Sequence, residues 1–440
     1  MRSYYQQLHG RVMNNLRANA FQHLKTGTTS RVWTSIDGEE IWFESDDLDL
    51  EPSAESLATL WLIPALLTGR NLELEQKLCP TWHDNAHKAM EFLEKYWGDR
   101  PVEIIADQLE HDSMQRAQGN SDKTGLFFTC GTDSFHALLT NPKPDFLVYV
   151  ETFDIPGDQT RAKIARQRVE KIAAAFGSHA VIVRTNAKKH PTYSKHRLSD
   201  THSSFLAAVG HLLAPHMASI TIAPSWHKSH HLVTGSNWQL DPLWSSQSFR
   251  IVHAEASAQR FERVKAICDN RLAQQNLHVC FQNYNCSSCE KCVRTMVELM
   301  ISGKLRQFET FDHTIELTER IDSLSRISHP IFFEAALNKG LDAKLEEAII
   351  RLFRRNAQFQ SSIEAQLKQQ RYVDEQFPKL KEGLDNALHH YSLLQAEHAR
   401  LSADYDALVG NLPIKSGITF VRKVAKKLRK SRTNRGLSHD

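Results

Sequence analysis

Two stretches of the chain hold residues whose types and spacing suit chemistry. The first is Cys280-Phe-Gln-Asn-Tyr-Asn-Cys286-Ser-Ser-Cys289-Glu-Lys-Cys292, four cysteines within thirteen positions. Successive C-x-x-C steps fold back so that paired sulfurs face one point. With a fourth thiolate six residues upstream, they reach the ligand count of a closed tetrahedral Zn2+ site. Four protein ligands leave no open position, so such a zinc is structural. An iron–sulfur cluster and free thiols are the competing readings of the same residues. The second stretch runs from Gly125 to Leu138, where an apolar run into Phe128 gives way to Thr129-Cys130-Gly131-Thr132-Asp133-Ser134. Asp133 and Ser134 are helix N-terminal residue types. A strand-to-helix turn of this kind leaves backbone N–H groups unpaired in front of a helix dipole, which suits an anion and usually a phosphate. An ordinary α/β connection reads the same way from these residues alone.

The elements around that turn alternate. Residues 145–150, 180–183 and 220–223 are apolar strand runs. Between them Ala165, Val169, Ile172 and Phe176 recur at steps of three and four before Gly177, and residues 204–213 read as another helix. This predicts an α/β fold, a parallel sheet with helices on both faces, whose ligands sit at the carboxyl ends of the strands. Those ends fall at 129–134, 151–158, 184–186 and 224–227. Two polar clusters lie close by. Glu151-Thr-Phe-Asp154-Ile-Pro-Gly-Asp158 is also a normal turn and N-cap sequence. His227-Lys-Ser-His230-His231 lacks the i, i+4 spacing of a zinc pair and reads as a surface loop; Asp241 follows it as a candidate carboxylate.

The segment Thr129-Cys-Gly-Thr-Asp-Ser134 resembles the Ser-Gly-Gly-x-Asp-Ser pyrophosphate loop of the N-type ATP pyrophosphatases, the PP-loop superfamily. Gly131, Asp133 and Ser134 match outright and Thr129 keeps the hydroxyl, while Cys130 stands where the family has its first glycine. A positive φ there would strain a residue that carries a Cβ. Asn285-Cys-Ser-Ser-Cys-Glu-Lys-Cys-Val-Arg-Thr-Met296 is similar to the C-terminal zinc segment of the 7-cyano-7-deazaguanine synthases. Those are PP-loop enzymes that activate a carboxylate with ATP and convert it, with ammonia, to a nitrile. The two motifs stand in the family's order, about 150 residues apart, and the resemblance covers residues 121–305. It implies a deazaguanine-synthase-like paralogue, with an adenine nucleotide alpha-hydrolase-like fold and a different substrate.

That resemblance also implies the parts of the site. The phosphates of ATP would rest on Thr129, Cys130, Gly131, Thr132, Asp133 and Ser134, with Mg2+ beside Asp133 and the adenine edge near Asp154. Asp133, Ser134 and Asp241 form the expected catalytic set, Asp241 meeting the substrate. A small-molecule carboxylate would be adenylated, releasing pyrophosphate, and ammonia or an amine would then displace AMP. Two alternatives stay open: an RNA-base-modifying enzyme of the same superfamily, and a nucleotide-binding scaffold that has lost turnover.

Flanking regions differ in character. The 440 residues are 41% hydrophobic and 24% charged, the composition of an ordinary globular protein of two or three domains. Residues 1–120 read as an N-terminal α+β region, with strands at 40–44, 71–78 and 102–106 and helices at 54–67 and 82–97. Residues 306–410 are helical, with Leu345, Ile349, Leu352 and Phe353 on one side. Leu384, Ala387, Tyr391, Leu394, His398, Leu401, Tyr405 and Leu408 then recur at alternating steps of three and four. They predict a coiled-coil-like segment over 384–408 that would support a homo-oligomer, or a hairpin packed on the body.

The tail, 411–440, is basic and amphipathic. Eight Lys/Arg against one acidic residue over 421–440 leave the remainder with 46 basic and 50 acidic side chains. Such a tail suits an anionic membrane surface, an acidic partner, or RNA, and a solvated extension has the same composition. The mildly acidic body argues against a general nucleic-acid surface. Without an apolar run long enough to span a bilayer or a signal peptide, the expected location is cytoplasmic, with the inner membrane face as a peripheral option.

Overall fold

In a computed structural model of the protein, the described residues are 15–109, 122–151, 159–229, 233–282, 284–337 and 339–376. The expected coiled-coil segment, the basic tail, Asp154, His230 and His231 lie outside them. The chain divides into two compact units. One holds the described residues up to Val279 together with Val297–Thr310; the other holds Cys280–Met296 and the described residues from Phe311 on.

Eleven strands of the first unit form one sheet: β1 (Leu16–Ala18), β2 (Gln22–Thr26), β3 (Thr29–Ile36), β4 (Glu39–Ser45), β5 (Leu72–Leu74), β6 (Ile104–Ile105), β7 (Thr124–Phe127), β8 (Phe146–Val150), β9 (His179–Thr185), β10 (Ser219–Ile222) and β11 (Arg250–His253). Their order is β11-β10-β7-β8-β9-β4-β3-β1-β5-β6, with β2 paired to β3. The five strands from β11 to β9 are parallel. From β7 the chain steps outward to β8 and β9, then returns to place β10 on β7's other edge. The strand order therefore reverses at β7, the position at which open α/β sheets form a ligand crevice.

Both faces of this parallel half are covered, which is why β8 is buried at every residue and reads as an unbroken apolar run. On one face Phe127, Val148, Val150 and Val183 share a core with Trp61 of α1 (Ala54–Thr68) and Phe205 of α5 (Leu198–Leu212). From Ala54 to Leu66 every residue of α1 except Glu55 is buried, as expected of a helix that is apolar all round. The opposite face carries α3 (Thr132–Thr140) and α4 (Gln159–Phe176); Phe128 meets Phe135 of α3 edge-on at 5.1 Å.

Beyond β9 the sheet continues into the N-terminal residues. β4 pairs antiparallel with β9 at Phe43↔Thr185 and Glu44↔Arg184, and Arg184 bonds Asp46 at 2.6 Å. That arginine, with Thr29, holds the Asp46 carboxyl down at about 2. β3 alternates buried and half-buried residues, the pattern of a strand with one face on the core. Helix α2 (Pro80–Trp97) completes this part. The result is an α/β unit with a mixed, mostly parallel sheet flanked by helices, to which residues 15–109 contribute strands of the same sheet.

The remaining helices are α6 (Arg260–Ile267), α7 (Arg271–Asn276), α8 (Glu290–Ile301), α9 (Leu317–Ser323), α10 (Ile331–Leu337) and α11 (Ala343–Gln376). Leu345, Ile349 and Leu352 of α11 are buried, as their spacing predicts, and Arg351 bonds Asp322 of α9 at 2.6 Å. No helix among the described residues is long and apolar enough to cross a membrane.

Candidate anion site and cysteine cluster

Strand β7 ends in the crevice, and the segment Phe128–Gly131 turns the chain into α3. The Phe128 N–H donates to the Val148 carbonyl at 2.9 Å, so the ladder holds up to the last residue before the turn. Cys130 has φ +60°, the left-handed region that favours glycine. Its carbonyl accepts the His278 N–H at 2.8 Å, which fixes the bend. Gly131 is the N-cap of α3 and offers no side-chain cap. Ser134 Oγ donates to the Gly131 carbonyl at 3.0 Å and accepts the Thr129 N–H at 3.4 Å, so this hydroxyl is engaged in shaping the loop.

Among the described residues, the N–H groups of Cys130, Gly131, Thr132, Asp133 and Ser134 have no hydrogen-bond partner. The buried Thr132 Oγ1 has none either. Gly131, Asp133 and Ser134 of this run, together with Thr129, line a cavity of about 140 Å³ with walls from Phe127, Val148, Val150, Leu206 and Ile222; Thr132 is not among the lining residues. The Cys130 thiol is not part of the lining. Burial pushes its pKa up to about 12, so it is an un-ionised core group.

The Asp133 carboxylate, 30% exposed, accepts from Arg263 Nη1 at 2.9 Å. Arg263 stands on α6, whose start is fixed by a capping box between Gln259 and Glu262. It is 1% exposed, donates through Nε to the Ala258 carbonyl at 3.0 Å, and shares Nη1 with the Pro224 carbonyl. Its Nη2 is buried without a partner. One turn along α3, burial first and the Arg263 charge second push the His136 pKa down, so the ring is neutral.

Asp241 sits in a short 3-10 turn, Asp241–Trp244, and its side chain is 0% exposed. It accepts from Ser236 Oγ at 2.9 Å, Asn237 N–H at 3.0 Å and His253 Nδ1 at 2.7 Å. The substrate contact expected of Asp241 thus meets a fully enclosed carboxylate. His253 ends β11 in register with Ile222, a residue of the cavity wall. The loop bearing Ser236 presses on the start of α5. Gly235 N–H donates to the Ser199 carbonyl at 2.6 Å, and a Cβ at Gly235 would fall 1.9 Å from the Asp200 oxygen, so only glycine fits. His227 is half-buried and bonded locally to Ser229. Glu151 is held by Arg166 at 3.1 Å. Arg263 and His253 were not singled out by sequence; a lone arginine in a basic amphipathic segment and a histidine in a four-residue strand carry no motif.

In the second unit the four cysteine sulfurs gather as their spacing predicts. Cys280 lies 3.5 Å from Cys286 and 3.8 Å from Cys289, Cys286 lies 4.0 Å from Cys292, and all four are within 4.8 Å of one another. Tetrahedral ligands at about 2.3 Å from a metal stand about 3.8 Å apart, so the set could hold a metal such as zinc. The knuckle is buttressed. Ser287, at φ +57° and buried, accepts the Asp312 N–H at 2.9 Å, and its carbonyl accepts from Arg320 at 3.0 Å. Burial alone would raise the Glu290 carboxyl, but bonds from the His329 ring and the Ser328 and His329 amides hold it down at about 2.

No protein-family model, curated protein or solved structure matches the chain.

Proposed function

We propose that the protein is an ATP-dependent adenylating enzyme of the PP-loop type, with an adenine nucleotide alpha-hydrolase-like first unit. The observation that carries this reading is the run of five unpaired N–H groups, residues 130–134, where the strand order reverses, three of whose residues, Gly131, Asp133 and Ser134, line a cavity. The first N–H groups of a helix have no intrahelical partner, and an anion is a ready acceptor for them.

These amides and the α3 dipole receive the phosphates, with the Thr129 hydroxyl at the mouth. Mg2+, when bound with the nucleotide, supplies neutralisation of triphosphate charge. A substrate carboxylate oxygen attacks the α-phosphorus, the bond to the β-phosphate breaks, and pyrophosphate leaves. Ammonia or an amine then adds to the acyl carbon, loses a proton, and expels AMP. The loop positions the reacting groups and offsets the charge that grows on the phosphate oxygens. Asp241 contributes by orienting His253 beside the cavity wall. Zn2+ on Cys280, Cys286, Cys289 and Cys292 is structural, since four thiolates leave no position for substrate.

The test is pyrophosphate release from ATP and Mg2+ across a panel of carboxylic acids with ammonia present. Turnover with one acid class supports the reading, and absence of ATP binding ends it. The engagement of Asp133 by Arg263 favours a second reading, a nucleotide-binding protein without turnover. ATP binding with no release for any acid selects that one.

A further inference from the structure

Helix α2 carries two histidines that do not line the cavity at β7. Its buried side, Trp82, Ala86, Ala89, Met90 and Leu93, is fixed on the core. Trp82 Nε1 donates to Thr59 Oγ1 at 2.8 Å, and Asn85 Nδ2 donates to the Ser245 carbonyl at 3.1 Å. His83 and His87 stand one turn apart on the wetter side, His83 half-buried and His87 exposed. This is the i, i+4 spacing that lets two imidazoles reach one ion, and that the run at His227 lacks. Their ring centroids are 4.7 Å apart, with the planes at 69°. A metal about 2.0–2.1 Å from a ring nitrogen lies about 3.2 Å from the ring centroid, so two rings on one ion stand about 4.5–5.2 Å apart. The pair already has that separation.

Gln108 supports the first of the two rings. Leu78 N–H donates to the Asp107 carbonyl at 2.8 Å and Leu109 N–H to the Leu78 carbonyl at 2.9 Å, which fixes Gln108 between them. Its side-chain amide lies 3.5 Å from His83 Nδ1. With the amide oxygen toward the ring, it accepts the Nδ1 proton and leaves the Nε2 lone pair for an ion, the usual support of a ligating histidine. Burial first and the His87 charge second push the His83 pKa down, with Asp84 acting the other way, so the ring is in its neutral, ligating form. No third thiol, imidazole or carboxylate of the described residues completes a group of three with the pair. We propose that His83 and His87 chelate a divalent first-row transition-metal ion of the Ni2+, Cu2+ or Zn2+ class, with Gln108 orienting His83 and water in the remaining positions. Unlike the closed four-cysteine set, this site is open and exchangeable, and it does not depend on the adenylating reading.

The experiment is calorimetric titration of Ni2+ into the zinc-loaded full chain after unbound zinc is removed. Wild type and variants carry the same cysteine cluster, so their difference reports the histidine pair alone. Wild type shows a site that His87→Ala and His83→Ala each weaken by about tenfold or more, and Gln108→Ala by less. Ni2+ also raises the melting temperature of wild type and not of His87→Ala, because the two ligands are neighbours only while the helix is formed. Equal isotherms for wild type and His87→Ala, or no Ni2+ binding by wild type, overturn the site. A loss in only one of the two histidine variants overturns the chelate, and an isotherm unchanged by Gln108→Ala overturns the role given to Gln108. His87 is exposed, so His87→Ala keeps the fold. Should His83→Ala not fold, the isotherm and the melting shift of His87→Ala decide alone.

Discussion

His253 Nδ1 and the Asp241 carboxylate meet at 2.7 Å, the carboxylate fully enclosed and the imidazole 5% exposed at the end of β11. One acid thereby closes the turn that begins at Ser236 and fixes which ring nitrogen carries a proton. The other nitrogen, Nε2, has no partner among the described residues.

Replacing Asp241 with alanine removes the acceptor of three donors in a place closed to water. The expected loss is roughly 3 kcal/mol, read as a lower urea midpoint at unchanged slope. His253→Gln removes one of those donors and costs about half as much or less. Equal losses for the two would show that the carboxylate is not the hub of this turn.

Cys130 makes a separate prediction about the bend. At φ +60° any side chain beyond hydrogen is strained, so Cys130→Gly should exceed Cys130→Ala in stability by about 1 kcal/mol. With its pKa pushed up to about 12 by burial, the native thiol should also resist alkylation at pH 8. Rapid labelling of Cys130 by iodoacetamide in the folded protein would contradict this placement.

The cysteine cluster predicts a stoichiometry. Elemental analysis should find about one zinc per chain, and Cys292→Ser should lose it together with the stability of the second unit. Arg320→Ala should weaken metal retention under a chelator without removing a ligand, because Arg320 holds the Ser287 carbonyl and Asp312. An unchanged chelation rate would mean that the knuckle keeps its shape unaided.

Asp46 should contribute to acid sensitivity in the first unit. Its carboxyl is lowered from 3.8 to about 2, by Arg184 first and then Thr29. A depressed acid contributes stability above its unfolded pKa and loses it as pH falls through the folded one. The stability difference between wild type and Asp46→Asn should therefore hold above pH 4 and shrink towards pH 2. A difference independent of pH over that window would exclude the ion pair as its source.

Elements with contacts on both faces were legible in the sequence, because burial leaves unbroken apolar runs such as Phe146-Leu-Val-Tyr-Val150. β11 was not, since Arg250 and Val252 face solvent at the sheet's edge and leave no run to detect. Every residue of β2 is exposed, and its Gln-His-Leu-Lys-Thr sequence has no period at all. The expected strands over 71–78 and 102–106 contract to Leu72–Leu74 and Ile104–Ile105, where pairing is short. The cysteine cluster was readable because its ligands are neighbours in sequence. The Asp133–Arg263 pair spans 130 positions, a separation at which residue types alone say nothing of contact.

The antiparallel seam between β4 and β9 has a practical consequence. A truncated chain beginning near residue 121 would retain the loop and all five parallel strands, yet it would bare the outer edge of β9 and the flank of α5 that α1 covers. Unpaired strand edges and uncovered apolar surface drive aggregation. The parallel half of the sheet is accordingly inseparable from residues 15–109, which act as its permanent chaperone.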